Sequence, residues 1–224
     1  MADLSPIWLT LKLAAVTTIL LLVIGLPLAW WLSRGRSIIK TIIEAIITMP
    51  LVLPPSVLGF YLLLAFSLQR GVGKWLQQTF DVQFVFSFKG LVLASFIYSM
   101  PFMMGPIKSA LQQLPASLSQ ASYSLGKSKW QTFTHVLVPN IRPSLLTAIV
   151  LTFAHTLGEF GVVLMIGGNI PGVTRVASIA VYDSVEQMDY STANAYSLIL
   201  FAITFVLVIS VFIFNKYRLK SPLE

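Results

Sequence analysis

The sequence has no cysteine, and only two of its 224 residues are histidine. Thiol redox chemistry, thiolate metal sites and a disulfide scaffold are thereby excluded. Charge is scarce as well. Asp, Glu, Lys and Arg make up 10% of the chain, where soluble domains carry about 25%. Acids are the rarer sign, eight against fifteen bases, which leaves a net charge of +7. Apolar residues make up 56%, and the mean hydropathy is +0.83. Disorder and a collagen-like chain do not fit such hydrophobicity. So few polar groups cannot clothe a soluble surface, and the solvent of this chain is largely lipid.

A spanning helix needs about 20 mostly apolar residues. Five stretches qualify, near 9–32, 44–68, 89–111, 142–166 and 194–215. They take most of the chain, so 1–224 reads as a single all-α transmembrane domain. The second stretch contains Met49-Pro50-Leu51-Val52-Leu53-Pro54-Pro55. Proline removes a backbone donor and disfavours helix at the residue before it. One broken span is therefore expected, since two full spans would each be too short. The first span reads as a retained helix rather than a cleaved leader. Its apolar run is too long, and no small-x-small site precedes Arg34.

The bases set the orientation. With the N-terminus outside, Arg34, Arg36, Lys40, Lys108, Lys127, Lys129, Arg142, Lys216, Arg218 and Lys220 lie inside. Only Lys12, Arg70, Lys74, Lys89 and Arg175 lie outside. The positive-inside rule thus predicts N-out, C-in. The net charge is this topogenic excess and needs no nucleic-acid partner. Trp8, Trp30, Trp31 and Tyr217 sit near span ends, as interfacial anchors do.

Two longer segments remain outside the spans. Segment 117–139, on the inner side, places Leu118, Ala121 and Leu125 at helical spacing, and then Trp130, Phe133 and Leu137. Ser117 or Ser119 is expected to cap a first helix that Gly126 ends, with Pro139 closing the second and Pro143 opening the next span. Two readings of this elbow stand side by side: an amphipathic hairpin on the headgroups, or a docking knob for a soluble partner. On the outer side, Gly167 to Gly172 form a loop, and residues 175–188 suggest a short surface helix. A buried half-span there is the six-span alternative.

Ala121 to Ser128 nearly matches a phosphate-binding loop, but its first glycine is replaced by Ala121 and no strand precedes it. Neither histidine sits in a hydrolase or metal constellation. Gly158-Glu159-Phe160-Gly161 is the most informative intramembrane feature, because an ionisable residue at that depth is costly. His155 lies one helical turn before Glu159, so the pair can share a face and a hydrogen bond. Both a pathway element and a structural polar pair fit that pattern.

The elbow resembles the EAA loop of ABC importer permeases. Gln120-Ala121-Ser122 is followed by Gly126 after three residues, and by Val136, Val138 and Pro139 at the family's offsets. Gln replaces Glu at 120 and Ser replaces Ala at 122, which removes one charge from the loop. Residues 49–55, Leu157-Gly158-Glu159-Phe160-Gly161, and Asn169 to Arg175 are similar to the molybdate permeases of the binding-protein-dependent transport family. Sulfate permeases share much of the Gly-Glu-Phe-Gly region. The resemblance implies a type I permease fold and a multi-pass protein of a bacterial or archaeal cell membrane. It also implies two permease chains (expected here as a homodimer), two cytoplasmic ATPase subunits that hold ATP and Mg, and an extracytoplasmic binding protein that delivers molybdate or tungstate. No cofactor and no catalytic residue is expected on this chain.

Within that resemblance, the residues expected to couple to the ATPase are Gln120, Ala121, Ser122, Leu125, Gly126, Trp130 and Pro139. The expected translocation pathway comprises Pro50, Pro54, Pro55, Ser56, His155, Gly158, Glu159 and Gly161. Few cations lie at membrane depth, so anion passage would rest on amides, hydroxyls and helix N-termini near the proline breaks. The rival functions are a sulfate or thiosulfate permease, and a self-sufficient channel or secondary carrier with Glu159 and His155 as a proton relay.

Overall fold

The longest apolar runs become the longest helices. A computed structural model describes residues 3–35, 37–69 and 71–218, with side chains as far as residue 213, and contains no strand among them. Arg36, Arg70 and Lys220 lie outside the described residues, as do the side chains of Lys216, Tyr217 and Arg218.

Helix α1 (Ser5–Ser33) has Pro6 in its first turn, where a missing amide costs no hydrogen bond. Helix α2 (Ile38–Thr48) passes through a 3₁₀ turn at Met49–Leu51 and is followed by α3 (Pro55–Ala65). Helix α4 is Gly71–Phe80. Helix α5 (Phe88–Gln113) is capped by Ser87, whose Oγ accepts the Gly90 amide at 3.2 Å. The elbow comprises α6 (Ala116–Ser124) and α7 (Lys129–Asn140), the latter with a π-helical turn at Phe133–Leu137. Then come α8 (Arg142–Leu157), α9 (Gly161–Gly167), α10 (Ala177–Glu186) and α11 (Tyr190–Arg218).

Helices α1, α5 and α11 are each long and apolar enough to cross a membrane. The number rises to five if each of two bent pairs counts as one span: α2 with α3, bent by 114°, and α7 with α8, bent by 79°. The first bend falls on the three prolines, as their chemistry requires. The second falls at Ile141, where elbow meets span. A further break, at Gly158–Phe160, divides the stretch 142–166 into α8 and α9.

The core has two large clusters and a small third formed by Ile7, Ala177, Ala180 and Tyr196. Leu21, Ala29, Leu32, Met103, Ile107, Phe133 and Ala148 join α1, α5, α7 and α8 at the end that carries the elbow. Leu13, Leu62, Leu91, Val162, Ile166 and Ile179 join α1, α3, α5, α9 and α10 at the other. Helix α11 is tied on mainly at its start, where Tyr196 is buried and its hydroxyl donates to the Asp3 carbonyl at 2.7 Å. Its Phe201, Phe205 and Phe212 are bare.

Several local expectations change. Neither Ser117 nor Ser119 caps α6; Pro115 occupies the cap position and no side chain bonds there. Pro139 does not end α7, because it lies in the last turn and the chain turns at Ile141 instead. Residues 177–186 are not simply a surface helix: Ala177, Ile179 and Ala180 are buried. Helix α4 was not foreseen, although Val72, Trp75 and Phe80 follow one helical face.

Candidate functional site: the elbow and the cavity at the broken helices

The elbow is braced from within. Ser128 and Gln131 form a capping box that starts α7, with bonds of 3.2 and 2.9 Å. Ser122 of α6 and Thr132 of α7 are buried and hydrogen-bonded through their hydroxyls at 2.9 Å. Gly126 turns the chain between them with φ +76°, a backbone state that glycine adopts without strain. The elbow is pinned to α1 as well. Trp30 stacks on Phe133 at 4.3 Å, and Trp130 meets Trp30 edge-on at 6.1 Å. The Arg34 guanidinium lies over the Trp30 ring at 4.2 Å and donates to the Tyr123 hydroxyl at 3.0 Å. Trp30 is thus an elbow pin rather than the interfacial anchor expected of it. Trp8 and Trp31 remain exposed, as anchors are.

Of the residues expected to couple, Gln120, Ala121, Leu125, Gly126 and Trp130 are exposed, and Leu125 is 80% exposed. Tyr123, Leu125 and Trp130 are exposed together at the elbow tip, an apolar display that suits contact with a protein or with lipid headgroups. Ser122 and Pro139 depart from that set. Ser122 faces Thr132 and shapes the elbow from inside, and Pro139 is half-buried.

The second constellation lies where the broken helices meet. Pro55, Ser56, Tyr98, His155, Gly158, Glu159 and Gly161 line one open cavity of about 640 Å³. Ala154 and Phe160 line it as well, so six of its nine lining residues belong to the expected pathway and Tyr98, Ala154 and Phe160 do not. Tyr98 was missed, because an aromatic on α5 carries no signal of its own until the fold turns it toward α8. Pro50 and Pro54 do not line the cavity. Pro50 is buried in the 3₁₀ turn, and Pro54 occupies the cap position of α3. Close approach explains Gly161 and Gly59. A Cβ on Gly161 would lie 2.9 Å from Pro55 Cβ, and one on Gly59 would lie 2.7 Å from Met165 Cβ. Helices α3 and α9 therefore touch backbone to backbone.

His155 and Glu159 do not bond to each other. Helix α8 ends at Leu157, so the i, i+4 geometry stops short of Glu159. Ser99 takes the place of the partner: its hydroxyl bonds His155 Nδ1 at 2.9 Å and lies 3.1 Å from Thr156 Oγ1. Phe102 stacks on the imidazole at 4.0 Å. Glu159 is 4% exposed, and neither carboxyl oxygen has a hydrogen-bond partner among the described residues. Its backbone carbonyl accepts from Ser178 at 2.6 Å, which fixes α10 to the break.

The opposite end carries a polar rim. Arg175 Nε donates to Asn169 Oδ1 at 2.5 Å and pairs with Asp183 at 3.4 Å, closing the Asn169–Arg175 loop onto α10. Two exposed carboxylates there are held below the usual carboxylate range. Asp3 accepts from the Ser5 hydroxyl and amide, and Asp189 is held by bonds from Thr192. No cluster of three His, Asp or Glu suited to a metal occurs among the described residues.

The chain is similar to known membrane transport proteins along most of its length. A family profile described as binding-protein-dependent transport system inner membrane component matches residues 14–220. The molybdenum transport system permease protein ModB of Azotobacter vinelandii is 48% identical over 192 residues, covering 86% of this chain and 85% of that one. ModB of Haemophilus influenzae is 35% identical over 206 residues, or 92% and 90% of the two chains. The sulfate transport system permease protein CysT of Escherichia coli is 33% identical over 202 residues, or 90% and 73%. Among solved structures, a bacterial alginate ABC transporter in complex with an alginate pentasaccharide-bound periplasmic protein matches with a TM-score of 0.78. It is 18% identical and covers 98% of this chain and 80% of that one. The inward-facing MetNI methionine ABC transporter matches at 0.70 and 18%, over 95% and 94%. At such identities these two structures establish the fold alone.

Proposed function

Because the chain belongs to the binding-protein-dependent transport system inner membrane component family, we propose that it is the membrane-spanning permease subunit of an ATP-driven importer of molybdate or tungstate. The 48% identity to a molybdenum permease along most of both chains carries this reading, set against 33–36% for sulfate permeases. The chain contributes a path and a handle rather than chemistry. In the proposed assembly two copies enclose the path, two ATPase subunits hold ATP and Mg on the elbow side, and a binding protein delivers the oxyanion at the polar rim. The N-terminus then faces outward and the C-terminus faces the cytoplasm.

The geometry supports a mechanical route. A partner that grips Leu125 and the outer edge of Trp130 moves a braced unit, since Ser122–Thr132 and the Trp30–Phe133 stack resist internal yielding. The 79° bend at Ile141 makes α7 and α8 an angled lever. Sixteen residues of α8 reach about 24 Å to the Gly158–Phe160 break. That break, packed against α3 through Gly161, borders the cavity. Movement of the elbow thus changes the packing of α9 on α3 and the width of the path. The Ser56 amide and hydroxyl, in the first turn of α3, offer an anion hydrogen bonds without binding it strongly. Weak capture suits a path whose selectivity resides in a separate protein.

Reconstitution into liposomes with the cognate ATPase and binding protein tests the reading. ATP-dependent molybdate uptake is expected, with sulfate taken up far less. Sulfate uptake of equal rate would assign the chain to the sulfate permeases. Uptake by the chain alone would make it a carrier in its own right.

A further inference from the structure

We propose that the groove between α1 and α5 is a binding site for an anionic phospholipid, with Lys12 and Lys89 holding its headgroup phosphate. The groove, about 450 Å³, presents no polar atom on its wall. Val16, Leu20 and Ile24 form one side, a single stripe of α1 with a spacing of four residues, and Phe88, Val92 and Phe96 form the other. From Val16 to Ile24 it follows α1 for about 12 Å, far enough to seat much of an acyl chain. Leu20 and Ile24 are 38% and 48% exposed, so this wall is open to the surroundings.

Lys12 begins the same stripe, one turn above Val16, and its ammonium lies 4.8 Å from the centre of the Phe88 ring. The stem of Lys89 lines the groove from α5. Both lysines are exposed, and neither forms an ion pair among the described residues. An unpaired cation within a helix stripe this apolar is costly unless its head reaches the interface and meets an anion. Helix α4 precedes α5 by a short loop: Val72, Trp75 and Phe80 are exposed on this short amphipathic helix, in the manner of a helix lying on headgroups. Two unpaired cations above a dry slot fit one phosphate above one acyl chain. They also disfavour a second copy as the occupant, because a two-fold contact there would bring four lysines together.

Native mass spectrometry of the assembled complex, released from nanodiscs of equal phosphatidylglycerol and phosphatidylcholine, tests the site. A lysine beside an anionic lipid surface contributes about fivefold. Retention of phosphatidylglycerol should exceed that of phosphatidylcholine by about 25-fold for two such lysines. Lys12→Gln should lower the preference about fivefold, Lys12→Gln with Lys89→Gln should abolish it, and Lys12→Arg should keep it. Leu20→Trp should displace the lipid by filling the slot while both lysines remain. Inorganic phosphate at millimolar concentration should leave the lipid bound. Equal retention of the two lipids, a preference that survives the double substitution, or displacement by phosphate alone would overturn the proposal. So would a disulfide between two copies of a Leu20→Cys chain, which has no competing thiol.

Discussion

Single positions set the tolerances of the elbow and the path. Gly126 has open space where a Cβ would stand, so its constraint is the backbone alone. A side chain there costs about 1–2 kcal/mol for the left-handed φ, and Gly126→Val should cut substrate-stimulated ATP hydrolysis in the assembled complex while membrane insertion stays normal. Unchanged stimulation would remove Gly126 from the coupling route. Gly161 is the opposite case, because contact limits it. Gly161→Ala pushes against Pro55 and the Ser56 amide, and uptake should fall more than expression does. At the rim, the two carboxylates held below the usual range give acid sensitivity of a definite sign. Their stabilisation is present above the unfolded carboxylate pKa, near 3.8, and disappears as pH falls through the lower folded value. Protection of the amides that open α11, relative to their intrinsic exchange rate, should therefore fall only in strong acid, and Asp189→Ala should lower it at neutral pH as well. The glycines and Glu159 were readable in the sequence as exceptional residues. Their partners were not: the helix break at Gly158 replaced the expected His155–Glu159 bond with one from Ser99, on a helix more than fifty residues away.

Among the elements, the elbow was legible because its signals are local. Helical spacing, a glycine turn and a following proline are written within two dozen residues. What the spacing could not tell was which stripe is buried. Phe133 and Leu137 enter the core against α1, while Ala121 and Leu125 stay bare, because only one face of the elbow meets the bundle. The pin from α1 follows from the same contact. The Trp30–Phe133 stack contributes about 1 kcal/mol beyond its buried area. Trp30→Ala should loosen the lever, so that ATP hydrolysis outruns uptake; a parallel fall of both would mean the pin serves only folding. The helix break in the second apolar stretch was also foreseen, since Pro50, Pro54 and Pro55 lie within it. Its 114° turn was not, because the angle depends on how Gly59 lets α3 lie against α9.

For the molecule as a whole, the proposed orientation is open to direct measurement. The chain has no cysteine, so single cysteines report without interference. Ser124→Cys, on the elbow, should react with a membrane-impermeant thiol reagent only from the cytoplasmic side, and Asn169→Cys, at the rim, only from the outside. The reverse pattern would invert the proposed assembly. Composition and apolar run length alone determined that this is a helical membrane protein, with three to five candidate spans, because in hydrocarbon every backbone amide must find its partner within its own helix. The spacing of Gln120, Gly126 and Pro139 likewise made the elbow visible, since its turn is a property of neighbouring residues. Only the tertiary structure decided that six of the pathway candidates share one cavity with Tyr98, that Ser122 braces while Leu125 protrudes, and that a dry groove runs below Lys12 and Lys89. Those relations join residues far apart in the chain, and the distance between them is set by how helices pack, which no local spacing records.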